Sequence, residues 1–381
     1  MALSTGDSLT GYPSCGLLGD VASPSVDATN NRIVVGSKGG SLFSFSGGSK
    51  SKAPTPIVTE KSIAVPQSPW LHASTTPLYG VPLDPFTGWK PVPPATSVVH
   101  NLSGESKGEK SKGQDWPMFR KCPKHTGYTS ELVEPPLYLQ WQYETDGPII
   151  SSPAIVGSTV YIGSMDSCFY AINTETHTLK WRYKTERRIM SSPAVVGETV
   201  YFGSTDGCVY TINIETGQPI WNSDLGGTNL SSPTVIDNLV YVGSGYPNTC
   251  IYALSVYDGK PIHQYETNQM VYSSPAVDEG VVYVGSDDSR FYAFDGAGGS
   301  PIWSFPTDGG IFFSSPVVAE SLVYCIPGDY DKNIYAIDKE TGDLEWSYNI
   351  DGSKKGKSFS LESRPYLHPL ITALEWVKAS P

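Results

Sequence analysis

The chain has 381 residues and a formal net charge of −12, from 38 acidic against 26 basic side chains. An anionic surface of this kind argues against a nucleic-acid partner, which calls for a basic face. Charged residues reach only 17% while Gly, Pro and aromatics are plentiful, a composition of turn-rich β proteins rather than disordered ones.

No apolar run approaches the about 20 residues of a transmembrane helix, so none is expected. Residues 1–22 carry no pattern. They lack the basic start and apolar stretch of a signal peptide, and Cys15 lacks the apolar lead of a lipoprotein signal. Residues 23–46 (SPSVDATNNRIVVGSKGGSLFSFS) read as three short strands, and residues 47–114 then turn Pro-, Ser-, Lys- and Gly-rich. Such sequence predicts a long loop or partly disordered insertion. Asp115 to Thr129 follows, and residues 137–145 predict one strand with no partner beside it.

From Ser151 the chain repeats itself. SSPAIVGSTVYIGSMDSCFYAINTETHTLKW is followed by copies starting at Ser191, Ser231, Ser273 and Ser314. Their prolines, Pro153, Pro193, Pro233, Pro275 and Pro316, set a period of 40 to 42 residues. Each copy holds four runs rich in Val, Ile, Tyr and Phe, cut by Gly/Asp/Asn turns, which predicts four strands, a to d. No copy has helical periodicity. Four strands per unit at this period is a propeller blade.

The predicted fold is therefore all-β: a β-propeller of four-stranded antiparallel blades. Complete blades are expected near 149–185, 189–225, 229–267, 271–307 and 312–350. Residues 23–46 and 137–145 would share a split first blade around the 47–114 insertion, giving six; the tail, 351–381, would add a degenerate seventh or cross a face. The repeats lack the Gly-His and Trp-Asp marks of the WD type and are shorter than kelch repeats of about 50 residues. Instead the d strand carries Trp141, Trp181, Trp221, Trp303 and Trp346, with His263 at that place in the fourth blade. A large aromatic at a fixed position is expected to dock each blade on its neighbour.

The pattern Y-A-[IL]-[ND]-x-[ED]-T-G-x-x-x-W after S-S-P and [VI]-G-S resembles the pyrroloquinoline-quinone-like (PQQ-like) repeats. These build quinoprotein alcohol dehydrogenases and the propeller scaffold of outer-membrane protein assembly. DWPMFRKCPKHTGYT, residues 115–129, is similar to the lead-in of many such proteins. The resemblance covers roughly 115–350 and implies a fold more than an activity. It implies an extracytoplasmic setting, which the N-terminus does not support.

In a propeller the d–a and b–c loops gather at one face around the channel mouth, where rigid strands hold them in register. Arg187 and Arg188 are adjacent cations found in no other d–a loop, and Tyr272, Phe312 and Phe313 bring aromatics to the same ring of loops. Such a face suits a protein or polymer partner, or a small planar or anionic ligand such as a sugar. Asp166, Asp206, Asp287 and Asp288 stand in b–c loops, where Asp is a good turn residue. Asp329, Asp331 and Asn333 space like half a calcium loop, but Ile334 replaces the required Gly, so an EF-hand is rejected; no metal is expected, with a simpler calcium-binding loop at these residues as the minor alternative.

Six cysteines include no C-x-x-C pair, and Cys168, Cys208 and Cys250 share one repeat position, expected to be small and buried. Sequons stand at Asn101 and Asn229. Three functions remain in play. A binding scaffold needs no catalytic residues. A PQQ-dependent dehydrogenase would, by the resemblance, need quinone, calcium and commonly a vicinal disulfide. The chain has no adjacent cysteines, its six histidines are scattered, and its six blades fall short of the eight of those enzymes. The expectation is a scaffold without cofactor, with the dehydrogenase and a sugar-binding sensor as alternatives.

Overall fold

The computed structural model describes residues 24–27, 32–37, 39–47, 115–129, 137–327, 331–349 and 354–356. These fold entirely as strands and loops, in six antiparallel sheets. Blade 1 is β1 (Ser25–Asp27), β2 (Arg32–Gly36), β3 (Ser41–Gly47) and β4 (Leu137–Glu144). Blade 2 is β5 (Ala154–Val156), β6 (Thr159–Gly163), β7 (Cys168–Asn173) and β8 (Leu179–Lys184), and blade 3 is β9 (Ala194–Val196), β10 (Thr199–Gly203), β11 (Cys208–Asn213) and β12 (Pro219–Asp224). Blade 4 is β13 (Thr234–Ile236), β14 (Leu239–Gly243), β15 (Cys250–Ser255) and β16 (Pro261–Glu266). Blade 5 is β17 (Ala276–Asp278), β18 (Val281–Ser286), β19 (Arg290–Asp295) and β20 (Pro301–Pro306). Blade 6 is β21 (Val317–Ala319), β22 (Leu322–Cys325), β23 (Asn333–Asp338), β24 (Leu344–Asn349) and a fifth strand, β25 (Lys354–Gly356), on its outer edge. This is a six-bladed propeller. No helix among the described residues is long and apolar enough to cross a membrane.

In blade 1, β3 pairs β4 from Ser41↔Glu144 to Gly47↔Leu137, so one sheet is assembled across residues 48–136.

Every c–d pair carries a bulge at the same place, opposite the d-strand aromatic. Ala171 faces Trp181, then Ile172 faces Leu179; the same slip follows Thr211↔Trp221, Ala253↔His263, Ala293↔Trp303 and Ala336↔Trp346. A bulge re-aims a side chain, and a small residue opposite leaves room for the indole. The skipped residue is pushed outward, which accounts for the exposure of Ile220, Ile262 and Ile302.

The re-aimed aromatics dock each blade on the next. Trp181, Trp221 and Trp303 donate their indole N–H to the carbonyls of Ile214, Val256 and Lys339, at 2.7, 2.9 and 3.1 Å. Their rings lie under Gly217, Gly259 and Gly342, all at positive φ. His263 packs beneath Gly299 in the same way.

Trp141 departs from the expected pattern. His177 occupies the glycine position of its neighbour at φ 61°, and Trp141 stacks on that imidazole at 5.6 Å. The carbonyl it would have used, Thr174 O, accepts from Arg32 Nη1 instead, so the buried Trp141 Nε1 has no partner among the described residues. Trp346 packs on Tyr324 of its own blade.

Between blades the core is apolar. Phe169 of blade 2 stacks on Phe202 of blade 3 at 4.1 Å, both fully buried. Such side chains contribute about 1.5–3 kcal/mol each. All three open strand c, but only Cys250 is buried as expected, with the Gln264 amide 3.0 Å from its Sγ; Cys168 and Cys208 are only half-buried. All five described cysteines are free.

Candidate functional site

The two ends of the channel differ. One is closed by residues 115–129, which lie against the innermost strands of successive blades. Trp116 and Ile155 exchange two backbone hydrogen bonds at 2.8 Å. The carbonyls of Pro117, Pro123 and Lys124 accept from Val195, Val277 and Val318 of blades 3, 5 and 6. His125 is fully buried, with Nδ1 3.2 Å from Pro316 O and Nε2 3.3 Å from Thr234 Oγ1 of blade 4. Burial, then the neighbouring Arg120 guanidinium, push its pKa down to about 3. Lys124 clamps the segment to the buried Asp278 of blade 5 at 2.6 Å. The lead-in is thus a plug.

The other end bears the d–a and b–c loops. Its floor is organised by the serine pairs, since the residue before each pair, Ile150, Met190, Leu230, Tyr272 or Phe313, stands at the mouth. Blade 6 has one residue more in this loop. Ile311, not Phe312, fills the place that Val271 fills in blade 5, against Gly285 rather than Gly243. Phe312 and Phe313 are therefore both released toward the mouth. Tyr272 meets Phe312 edge-on at 4.9 Å and stacks with Phe313 at 6.1 Å, and Phe313 is 60% exposed. The Tyr272 hydroxyl lies 3.2 Å from Thr228 Oγ1.

Arg187 and Arg188 fix their backbones rather than their heads. Thr185 Oγ1 donates to Arg187 O at 2.6 Å, and Thr205 N donates to Arg188 O at 2.9 Å. Both side chains are exposed, without an ion pair among the described residues. They border a cavity of about 570 Å³ together with Met165, Met190, Leu230 and Tyr272. Of the positions singled out in the sequence, Arg187, Arg188 and Tyr272 therefore share one cavity, and Phe312 and Phe313 adjoin it through Tyr272. Sequence reasoning missed Met165, Met190 and Tyr246, the last 75% exposed on the blade 4 b–c loop. Reading the residue before each Ser-Ser would have found Met190.

The b–c aspartates have a further task beyond turning the chain. Asp166, Asp206, Asp288 and Asp331 each accept from a strand-c tyrosine hydroxyl, Tyr170, Tyr210, Tyr292 and Tyr335, at 2.7 to 2.9 Å. The same carboxylates accept the backbone N–H of Asp146, Glu186, Asn268 and Asp308 in the incoming d–a loop. Burial, with the nearby carboxylate, holds each tyrosine well above its usual pKa. Asp331 also accepts from Asn333 N and Nδ2, so both oxygens are engaged by protein donors. Asp329 and Asn101 lie outside the described residues. Among the described residues no group of three or more His, Cys, Asp or Glu is placed to hold a metal ion. Asn229 is fully buried and cannot act as a glycan acceptor in the folded chain.

Fold and face together define a propeller of PQQ-like repeats with one open, loop-built mouth. A family model described as outer membrane protein assembly factor BamB matches residues 138–251, 184–275 and 250–368, more than half of the chain. The chain belongs to this PQQ-like repeat propeller family. No curated protein matches it. Among solved structures, BamB from Moraxella catarrhalis is 18% identical with TM-score 0.50, over 58% of this chain and 69% of that one. A europium-containing methanol dehydrogenase is 15% identical with TM-score 0.51, over 62% and 58%. Quinohemoprotein alcohol dehydrogenase from Comamonas testosteroni is 14% identical with TM-score 0.51, over 64% and 52%. The chain thus spans little more than half of either dehydrogenase, and these likenesses speak to fold.

Proposed function

We propose that the chain is a non-catalytic propeller module that holds another protein against its d–a and b–c loop face. The observation that carries this is the asymmetry of the channel. The plug closes one end, while the other gathers the exposed Arg187 and Arg188 and the Tyr272–Phe312–Phe313 cluster around an open cavity. Arginine and aromatic side chains are the residues that most often anchor protein interfaces. The matching family model is named for an assembly factor, which fits a partner-binding role. A scaffold also accounts for aspartates engaged in tying blades together rather than poised for chemistry.

A thermal melt with and without pyrroloquinoline quinone and calcium separates this reading from a dehydrogenase. A ligand that binds only the native state raises the midpoint. The scaffold reading predicts no shift at saturating quinone; a clear rise would overturn it.

A further inference from the structure

Beyond the mouth face, the channel holds a second set of groups with unmet chemistry. The second serine of each pair forms a ladder around the inner strands. The backbone N–H of Ser152, Ser192, Ser232 and Ser274 donates to the hydroxyl oxygen of Ser192, Ser232, Ser274 and Ser315, at 2.9, 2.9, 3.0 and 3.0 Å. Each of these four hydroxyls acts as an acceptor in the ladder. None donates to any described atom, although all are buried, at 5 or 6% exposure. A hydroxyl carries one hydrogen to give, so four O–H groups remain to be satisfied on the channel wall.

Arg120, from the plug, reaches the same level. Its Nη1 donates to Ser315 O at 3.0 Å, and its guanidinium lies 5.1 Å from the Phe119 ring centre. No carboxylate pairs with it among the described residues. Arg120 is partly withdrawn from solvent, and this desolvation without a counter-charge pulls its pKa down to about 10. A guanidinium has five N–H donors, and one is accounted for. The other charged groups nearby do not help: Lys124 is committed to Asp278, and His125 is neutral.

The channel centre therefore gathers more donors than acceptors among the described residues, with one positive charge that no described carboxylate offsets. A guanidinium partly withdrawn from water and lacking a counter-charge favours an anion beside it. A water oxygen could accept some of these hydrogens but would leave the charge. We propose that a small oxyanion, of the phosphate or sulfate class, binds in the channel between the Arg120 guanidinium and the hydroxyls of Ser192, Ser232, Ser274 and Ser315. The residues before three of these pairs, Met190, Leu230 and Tyr272, line the mouth cavity, which gives the ion a way in. The site lies on plug and inner strands, whereas the partner-binding reading rests on the loops, so each can fail without the other.

The test is a titration of inorganic phosphate at constant ionic strength, read by the melting midpoint, with selenate soaked into crystals of the full chain. The expected result is a saturable rise in the midpoint and an anomalous selenium peak within hydrogen-bonding distance of Arg120. Arg120→Gln should weaken the saturable phase at least tenfold, while Arg187→Glu/Arg188→Glu keeps it. A rise that never saturates, a selenium peak confined to the loop arginines, or loss of the effect in the loop variant would overturn the proposal. Should Arg120→Gln fail to fold, the selenate map of the unaltered chain still decides.

Discussion

The ring of Trp181 occupies the space that a side chain on Gly217 would need: a Cβ there would lie 2.7 Å from the indole. Gly217 also sits at φ 67°, where L side chains are strained. Gly217→Ala should cost about 2–4 kcal/mol, combining backbone strain with loss of the dock. Gly157, at φ 56° with nothing within 4 Å, gives the control. Gly157→Ala should cost only the strain, about 1 kcal/mol. Urea midpoints of the two variants would check this, and equal losses would mean that the indole contact contributes nothing.

Asn229 stands where Ile149, Ile189, Val271 and Ile311 stand in other blades, packed against the backbone of Gly203. Neither of its side-chain polar atoms has a partner. A buried polar group without a hydrogen bond costs about 1–3 kcal/mol. Asn229→Val should therefore stabilise the fold by about 1–2 kcal/mol, seen as a higher denaturation midpoint with an unchanged m-value.

The seam between blades 1 and 2 should respond to acid. Burial, then Arg32, hold the His177 pKa below its usual value. A depressed folded-state histidine favours the neutral form, so its stabilisation is present above about pH 6.5 and drains away below it. The protection of β4 amides against hydrogen exchange, after correction for the intrinsic pH dependence of exchange, is expected to fall between about pH 7.5 and 5.5. His177→Gly, which restores the glycine of the other blades, should remove that dependence and relieve the positive φ. A β4 whose exchange has the same pH dependence in both proteins would contradict this.

Asp278 holds the plug. It accepts from Lys124 at 2.6 Å and from Lys339 at 2.9 Å. Burial pushes its carboxyl up, but the two ammonium hydrogen bonds outweigh this and leave it below the usual range. Its stabilisation is therefore present above about pH 4, the unfolded value, and lost as pH falls through the lower folded value. Asp278→Asn should cost about 2 kcal/mol, less than a fully buried pair because Lys124 is half exposed. Proteolysis at the plug should rise in parallel.

Much of the fold was legible because its determinants are local and repeated. The S-S-P pairs, the strand runs and the d-strand tryptophans recur at one spacing, and two docking glycines, Gly217 and Gly342, stand in T-G turns. What was not legible depends on contacts far apart in the chain. DWPMFRKCPKHTGYT reads as a preface; only the ring around it makes it a plug, through Val195, Val277 and Val318. Asp166 and its equivalents look like turn residues, because the loop that each one holds belongs to the preceding blade. The extra residue before Ser314 is visible in the sequence, yet its effect, freeing Phe312 and Phe313 together, follows only from Ile311 packing on Gly285. Arg187, Arg188 and Tyr272 were placed by loop position alone, and the cavity they share came from the ring's curvature.

Site-directed photo-cross-linking tests the central claim most directly. A photoreactive residue would be placed at Arg188 or Phe313 on the loop face, and at the exposed Tyr128 of the plug, in the full chain within its native cells. The account predicts one discrete cross-linked partner from Arg188 and Phe313, none from Tyr128, and loss of the Phe313 product in Arg187→Glu/Arg188→Glu. A partner captured from Tyr128 alone, or a Phe313 product indifferent to the charge reversal, would contradict it.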